Sequence, residues 1–93
     1  MDKAFKKELE KAVVILKQFG AKEVYVFGSH SKGKARPGSD LDLAVKGIPP
    51  EKFYAAYGNL LTALIHEIHL IDLDEDNDFV KFLKYKGELR LVG

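Results

Sequence analysis

Two aspartates stand inside the stretch of this sequence that otherwise reads most like a buried strand. From Asp40 to Val45 the residues alternate, with Asp40, Asp42 and Ala44 to one side and Leu41, Leu43 and Val45 to the other. Aspartate is disfavoured in strands. Two like charges side by side on one face also cost stability unless a cation lies between them. At i and i+2 of a strand, both carboxylates fall within reach of a shared ion, and Mg²⁺ is usually held by one or two carboxylates together with substrate phosphates.

The rest of the chain supplies a frame for that strand. Apolar residues at Phe5, Leu9, Ala12, Val13, Leu16 and Phe19 predict a helix over Asp2–Phe19, with Gly20 as its C-cap. Val24–Phe27 predicts a short buried strand, and a polar loop follows to Ser39. After Gly47-Ile48-Pro49-Pro50, a helix opens at Pro50 or Glu51 and runs to about Leu64. It is expected to bury Phe53, Tyr57, Leu60, Leu61 and Leu64, with Gly58 as a weak point. Ile65–Leu73 predicts a third strand, with Glu67, His69 and Ile71 on one face and Ile68, Leu70 and Asp72 on the other. Asn77 or Asp78 caps a last helix through Tyr85 that Gly87 ends, and Leu89–Val92 offers an edge strand. The expected fold class is α+β, a small mixed sheet of three to four strands covered by helices. At 93 residues the chain has room for one domain, taken as 1–93.

Gly28-Ser29 ends the first strand, and ten residues separate it from Asp40. A glycine there lets backbone N–H groups approach a phosphate without a Cβ in the way, and Ser29 adds a hydroxyl donor. Residues Gly28 to Lys34 also spell G-x-x-x-x-G-K, the start of a P-loop. A P-loop needs Ser or Thr next and then a long helix, whereas Ala35 follows here and Pro37-Gly38 stops any helix. Lys32, Lys34 and Arg36 read as a solvated loop.

Gly-Ser, ten residues, then Asp-x-Asp resembles the signature of the DNA-polymerase-β-like nucleotidyltransferases. The stretch VFGSHSKGKARPGSDLDLAV is similar to their minimal branch, which includes MntA-like antitoxins. The resemblance implies a polymerase-β-like core and transfer of a nucleoside monophosphate, AMP above all, from an NTP to an acceptor hydroxyl. It assigns Gly28 and Ser29 to the phosphates, and Asp40 and Asp42 to two divalent ions, Mg²⁺ or Mn²⁺, in catalysis. Family members often carry Arg after the Gly-Ser pair; this chain has His30.

The family completes its site with a third acid on a neighbouring strand. In Ile68-His69-Leu70-Ile71-Asp72-Leu73 the aligned position is His69, while strand parity turns Asp72 away. His69 is therefore a candidate ligand or general base, since neutral imidazole serves as either. Glu67, on the same face, is the alternative source of a carboxylate. His66, at the helix–strand junction, is expected to be exposed and without a role. Two functions follow. One is an enzyme acting on a hydroxyl, as on a partner tyrosine in toxin–antitoxin modules. The other is an antitoxin subunit that binds nucleotide and partner but has lost its chemistry with the third acid.

The resemblance implies ATP as the nucleotide and an all-α HEPN-type protein as partner; a homodimer mate is another source of the acceptor. A formal net charge of +1 argues against an extensive nucleic-acid surface. No apolar run is long enough to span a bilayer and no secretory signal precedes the first helix, so a cytoplasmic location is expected. With no cysteine, thiolate metal sites and disulfides are excluded.

Overall fold

The computed structural model describes residues 3–28, 41–86 and 89–93. Ser29, His30, Lys32, Lys34, Arg36, Asp40 and Gly87 lie outside the described residues.

Helix α1 (Lys3–Gln18) buries Phe5, Leu9, Ala12 and Leu16, an i, i+4, i+7, i+11 stripe. Gly20 closes it at φ +106°, and the Ala21 N–H donates back to the Leu16 carbonyl at 3.0 Å. That left-handed turn is the reason for a glycine there. Strand β1 (Glu23–Val26) follows, then β2 (Leu41–Lys46), α2 (Pro50–Ala63), β3 (Ile68–Asp72), α3 (Asp78–Lys86) and β4 (Arg90–Leu91). The Asn77 side chain caps α3, its Oδ1 accepting from the Val80 N–H at 2.9 Å. The expected α+β class holds: the strands form one four-stranded mixed sheet in the order β3-β2-β1-β4. β1 is antiparallel to both β2 and β4, whereas β2 and β3 run parallel with α2 as the crossover between them.

The sheet is packed on both faces. On one, Val24, Val26, Leu41, Leu43, Val45, Ile68 and Leu70 meet α1 and α2 in the main core. On the other, Phe27 and Ala44 meet Val80 and Leu83 of α3 together with Leu73, with Tyr25 and Ile71 partly buried beside them. The alternation expected for β2 is present, and Leu41, Leu43 and Val45 are fully buried. Each such side chain contributes roughly 1.5–3 kcal/mol by leaving water.

Three expectations need correction. Leu61 is 54% exposed rather than buried; Ala56 fills the core side of α2, whose stripe runs Phe53, Ala56, Tyr57, Leu60 and Leu64. The third strand starts at Ile68, not Ile65, and Ile65 is 89% exposed. The reason is chemical: the Ile65 and His66 amides donate to the Glu8 carboxylate, at 2.6 and 3.1 Å, and not to β2. His66 is accordingly not an exposed bystander. Its Nδ1 lies 3.1 Å from Glu8 Oε1, and its ring meets Phe5 edge-on at 5.8 Å.

Glu8 is buried within the apolar stripe of α1. Burial alone raises its pKa. The hydrogen bonds from the His66 ring and from the His66 and Ile65 amides, with the nearby imidazole charge, oppose that and prevail, so the net shift is downward. A carboxyl with a depressed folded pKa stabilises the fold fully above its unfolded pKa, and that contribution is lost as pH falls through the folded pKa. Among the described residues no helix is long and apolar enough to cross a membrane.

Two outcomes follow for stability. Gly58 sits on the exposed side of α2, and an added Cβ would meet open space there. Gly58→Ala is therefore expected to raise the unfolding free energy by about 0.5–1 kcal/mol in urea titrations. On acidification below about pH 4.3, the ordinary glutamate value, the urea midpoint of the unmodified chain is expected to fall more steeply than that of Glu8→Gln. Parallel curves for the two proteins would show that Glu8 is not the acid-sensitive group.

Candidate active site

Three strands bring their ends to one row on the α3 face of the sheet. The Phe27 N–H donates to the Asp42 carbonyl at 3.0 Å, which places the end of β1 beside Asp42. Across β2, Asp42 is the register partner of His69 on β3. Partners on neighbouring strands put their side chains on the same face, about 5 Å apart in the hydrogen-bonding direction. Asp42 and His69 are therefore adjacent, the first half-buried and the second exposed. The next row along the sheet, Tyr25, Ala44 and Ile71, lies with Val80 and Leu83 of α3. Phe79 meets Phe27 edge-on at 6.3 Å.

Gly28 closes the row from above. Its φ of +73° lies in the left-handed region, and a Cβ built on it would stand 2.6 Å from Asp42 Oδ2. No L side chain fits that position without moving the carboxylate. The glycine expected to admit a phosphate is thus the residue whose backbone lies against the candidate metal ligand. Only glycine permits so close an approach at this φ.

Of the residues singled out from sequence, the structure brings Gly28, Asp42 and His69 together. Ser29 and Asp40 lie outside the described residues. Glu67 precedes β3 and is exposed, and its carbonyl accepts the Leu41 N–H at 2.8 Å. Asp72 is turned from His69 as parity requires; its Oδ1 accepts the Asp74 N–H at 2.9 Å in the turn after β3. Among the described residues no group of three or more His, Asp or Glu side chains is placed to hold a metal ion. A carboxylate and an imidazole in register supply an oxygen and a nitrogen donor.

Tyr25, one row away, does not compete as a base. Burial, a hydrogen bond from its hydroxyl to Glu23 Oε2 at 3.1 Å and the Glu23 charge all raise its pKa, so it stays protonated near neutrality. The residue that sequence reasoning missed is Glu8. A signal for it existed: it lies three residues after Phe5 and four before Ala12, inside the stripe that α1 buries.

Comparison with curated protein sequences gives no match. Solved structures do share the fold. A chain from a toxin–antitoxin crystal structure with AMP-PNP superposes with a TM-score of 0.69 at 23% identity, over 88% of this chain and 69% of that one. A chain of the toxin–antitoxin MntA–HepT gives 0.65 at 19% identity, over 92% and 69%. The structure of a tri-AMPylated Shewanella oneidensis HEPN toxin in complex with an MNT antitoxin gives 0.65 at 20% identity, over 92% and 69%. The sequence profile of the nucleotidyltransferase domain matches residues 6–92, nearly the whole chain. With the Gly28–Asp42 contact at the position that the family signature marks, the chain belongs to the nucleotidyltransferase domain family.

Proposed function

We propose that residues 1–93 act as one catalytic unit that transfers AMP from ATP to a hydroxyl on a partner protein. The observation that carries this reading is the close approach of Gly28 to Asp42, where a Cβ on Gly28 would stand 2.6 Å from Oδ2, with His69 in register beside it. The donor set fits a divalent cation: Asp42, together with Asp40 two residues earlier in sequence, would hold Mg²⁺ or Mn²⁺, and an Asp pair suits two ions. When bound, such ions supply charge neutralisation at the triphosphate and at the attacking and leaving oxygens.

The residues of the chain do the rest. The Gly28 N–H and the Ser29 hydroxyl orient the phosphates. His69 accepts the proton of the acceptor hydroxyl at its unprotonated ring nitrogen. The acceptor oxygen bonds to the α-phosphorus, the bond from that phosphorus to the β-bridging oxygen breaks, and pyrophosphate leaves. Imidazole suits this proton transfer because its ordinary pKa lies close to neutral pH. Two of the similar structures support the choice of nucleotide and acceptor: one contains AMP-PNP and another an AMPylated HEPN toxin. An all-α HEPN-type protein is thus the partner proposed for this chain.

A second reading is favoured by one observation. The register partner of Asp42 is His69, where the family resemblance calls for a third acid. On that reading the chain binds nucleotide and partner without transferring.

Incubation with α-labelled ATP, Mg²⁺ or Mn²⁺ and the HEPN-type protein separates the two. Transfer is expected, with loss to background in Asp42→Asn and a fall of about 10²–10⁴-fold in His69→Ala. Nucleotide binding without transfer under either metal selects the second reading. Unimpaired turnover in His69→Ala, with loss in Glu67→Gln, moves the proton-accepting role to Glu67. Gly28→Ala is expected to destabilise the fold by about 1–2 kcal/mol through its left-handed backbone. By displacing the Asp42 carboxylate it should also weaken Mn²⁺–ATP binding under conditions where the variant is folded. Wild-type affinity in that variant would remove Gly28 from the phosphate site.

A further inference from the structure

Glu8 is a buried carboxylate that the proposed chemistry does not use. It occupies a position of α1 that a leucine would fill with more apolar contact. Its Oε1 instead accepts the Ile65 N–H at 2.6 Å, the His66 N–H at 3.1 Å and a contact from His66 Nδ1 at 3.1 Å. Hydrogen bonds to an ionised acceptor are roughly twice as strong as neutral ones. All three converge on the two residues that lead into β3, ahead of the first rung of its ladder.

That first rung is the Leu41 N–H to the Glu67 carbonyl, 2.8 Å, one residue beyond His66. Leu41 then partners Ile68, and Asp42 partners His69. The candidate catalytic row is therefore the second pair of a parallel ladder, at the end where sheets fray. A slip of one residue there would turn His69 into the main core and Ile68 to the α3 face. We infer that Glu8 is a positioning residue: it ties the start of β3 to α1 and so holds His69 in register with Asp42. The Phe5 ring, edge-on to His66, closes the same corner from α1. The structural half of this inference stands on the geometry alone, and its consequence for turnover rests on the function proposed above.

Amide hydrogen exchange on the full chain tests it. Glu8→Ala is expected to speed exchange at Leu41 by about tenfold or more, the size of one lost charge-assisted bond, while Val26, the last residue of the inner strand β1, keeps its rate. Glu8→Gln, which keeps an acceptor oxygen at the same reach but not its charge, restores Leu41 in part. Glu8→Asp keeps the charge but falls short by one methylene and does not restore it. If Glu8→Ala does not fold, the difference between Gln and Asp decides. Equal Leu41 exchange in the two, or Leu41 and Val26 rising together as in the core control Leu16→Ala, overturns the inference.

In the transfer assay, kcat is expected to fall in Glu8→Ala and Glu8→Asp and to recover in part in Glu8→Gln, with KM for ATP unchanged. A KM effect alone, or wild-type kcat in a folded Glu8→Ala, also overturns it. If the unmodified chain transfers nothing, the proposed function falls, and exchange at Leu41 still decides the positioning role.

Discussion

Parallel pairing of β2 with β3 obliges the chain between them to cross the sheet, and α2 is that crossing. The same pairing sets Asp42 beside His69, because parallel register partners share a face. The site and the main core therefore depend on one set of hydrogen bonds. Leu41, Leu43, Ile68 and Leu70 point into the packed side, and the intervening Asp42 and His69 point out of it. Neither set can move without the other, since a shift of one residue exchanges the two faces.

The second face explains where the site lies. Helix α3 is nine residues long and lays Val80 and Leu83 with Ala44, Tyr25 and Ile71 in the smaller core. Asp42 and His69 belong to the adjacent row, at the end where β1 stops and β2 and β3 start. Gly28 leaves β1 there in a left-handed conformation. The strand ends, the Gly28 backbone and the Asp42 carboxylate converge there, and the proposed triphosphate and cation site rests on that arrangement.

The two histidines of the β3 region are separated by their partners. His66 is paired with a buried carboxylate and stacked edge-on by Phe5, so it belongs to the packing between α1 and the start of β3. His69 stands three residues later on the open face beside Asp42. Strand parity sets the two on opposite faces without saying what either of them meets. The difference arises because Glu8, 58 residues before His66, reaches across from another element.

Much of this was legible in the residues themselves. The period-two alternation of Asp40–Val45 determined which β2 side chains face the core. The helical spacing from Phe5 to Leu16 determined α1, and the parity of Glu67, His69 and Ile71 determined the face of β3. Gly28 and the Asp-x-Asp run marked the candidate site because aspartate is disfavoured in strands and two like charges on one face cost stability. The family membership rests on the sequence profile, matched over residues 6–92. Tertiary structure decided what local pattern cannot carry: that His69 is level with Asp42, that Gly28 leaves no room for a Cβ against Asp42 Oδ2, and that Ile65 and His66 give their amides to Glu8 and not to a strand. Each of these is a contact between residues distant in sequence. Periodicity reports only which way a side chain points along its own element, whereas the sheet register and helix packing fix what it meets.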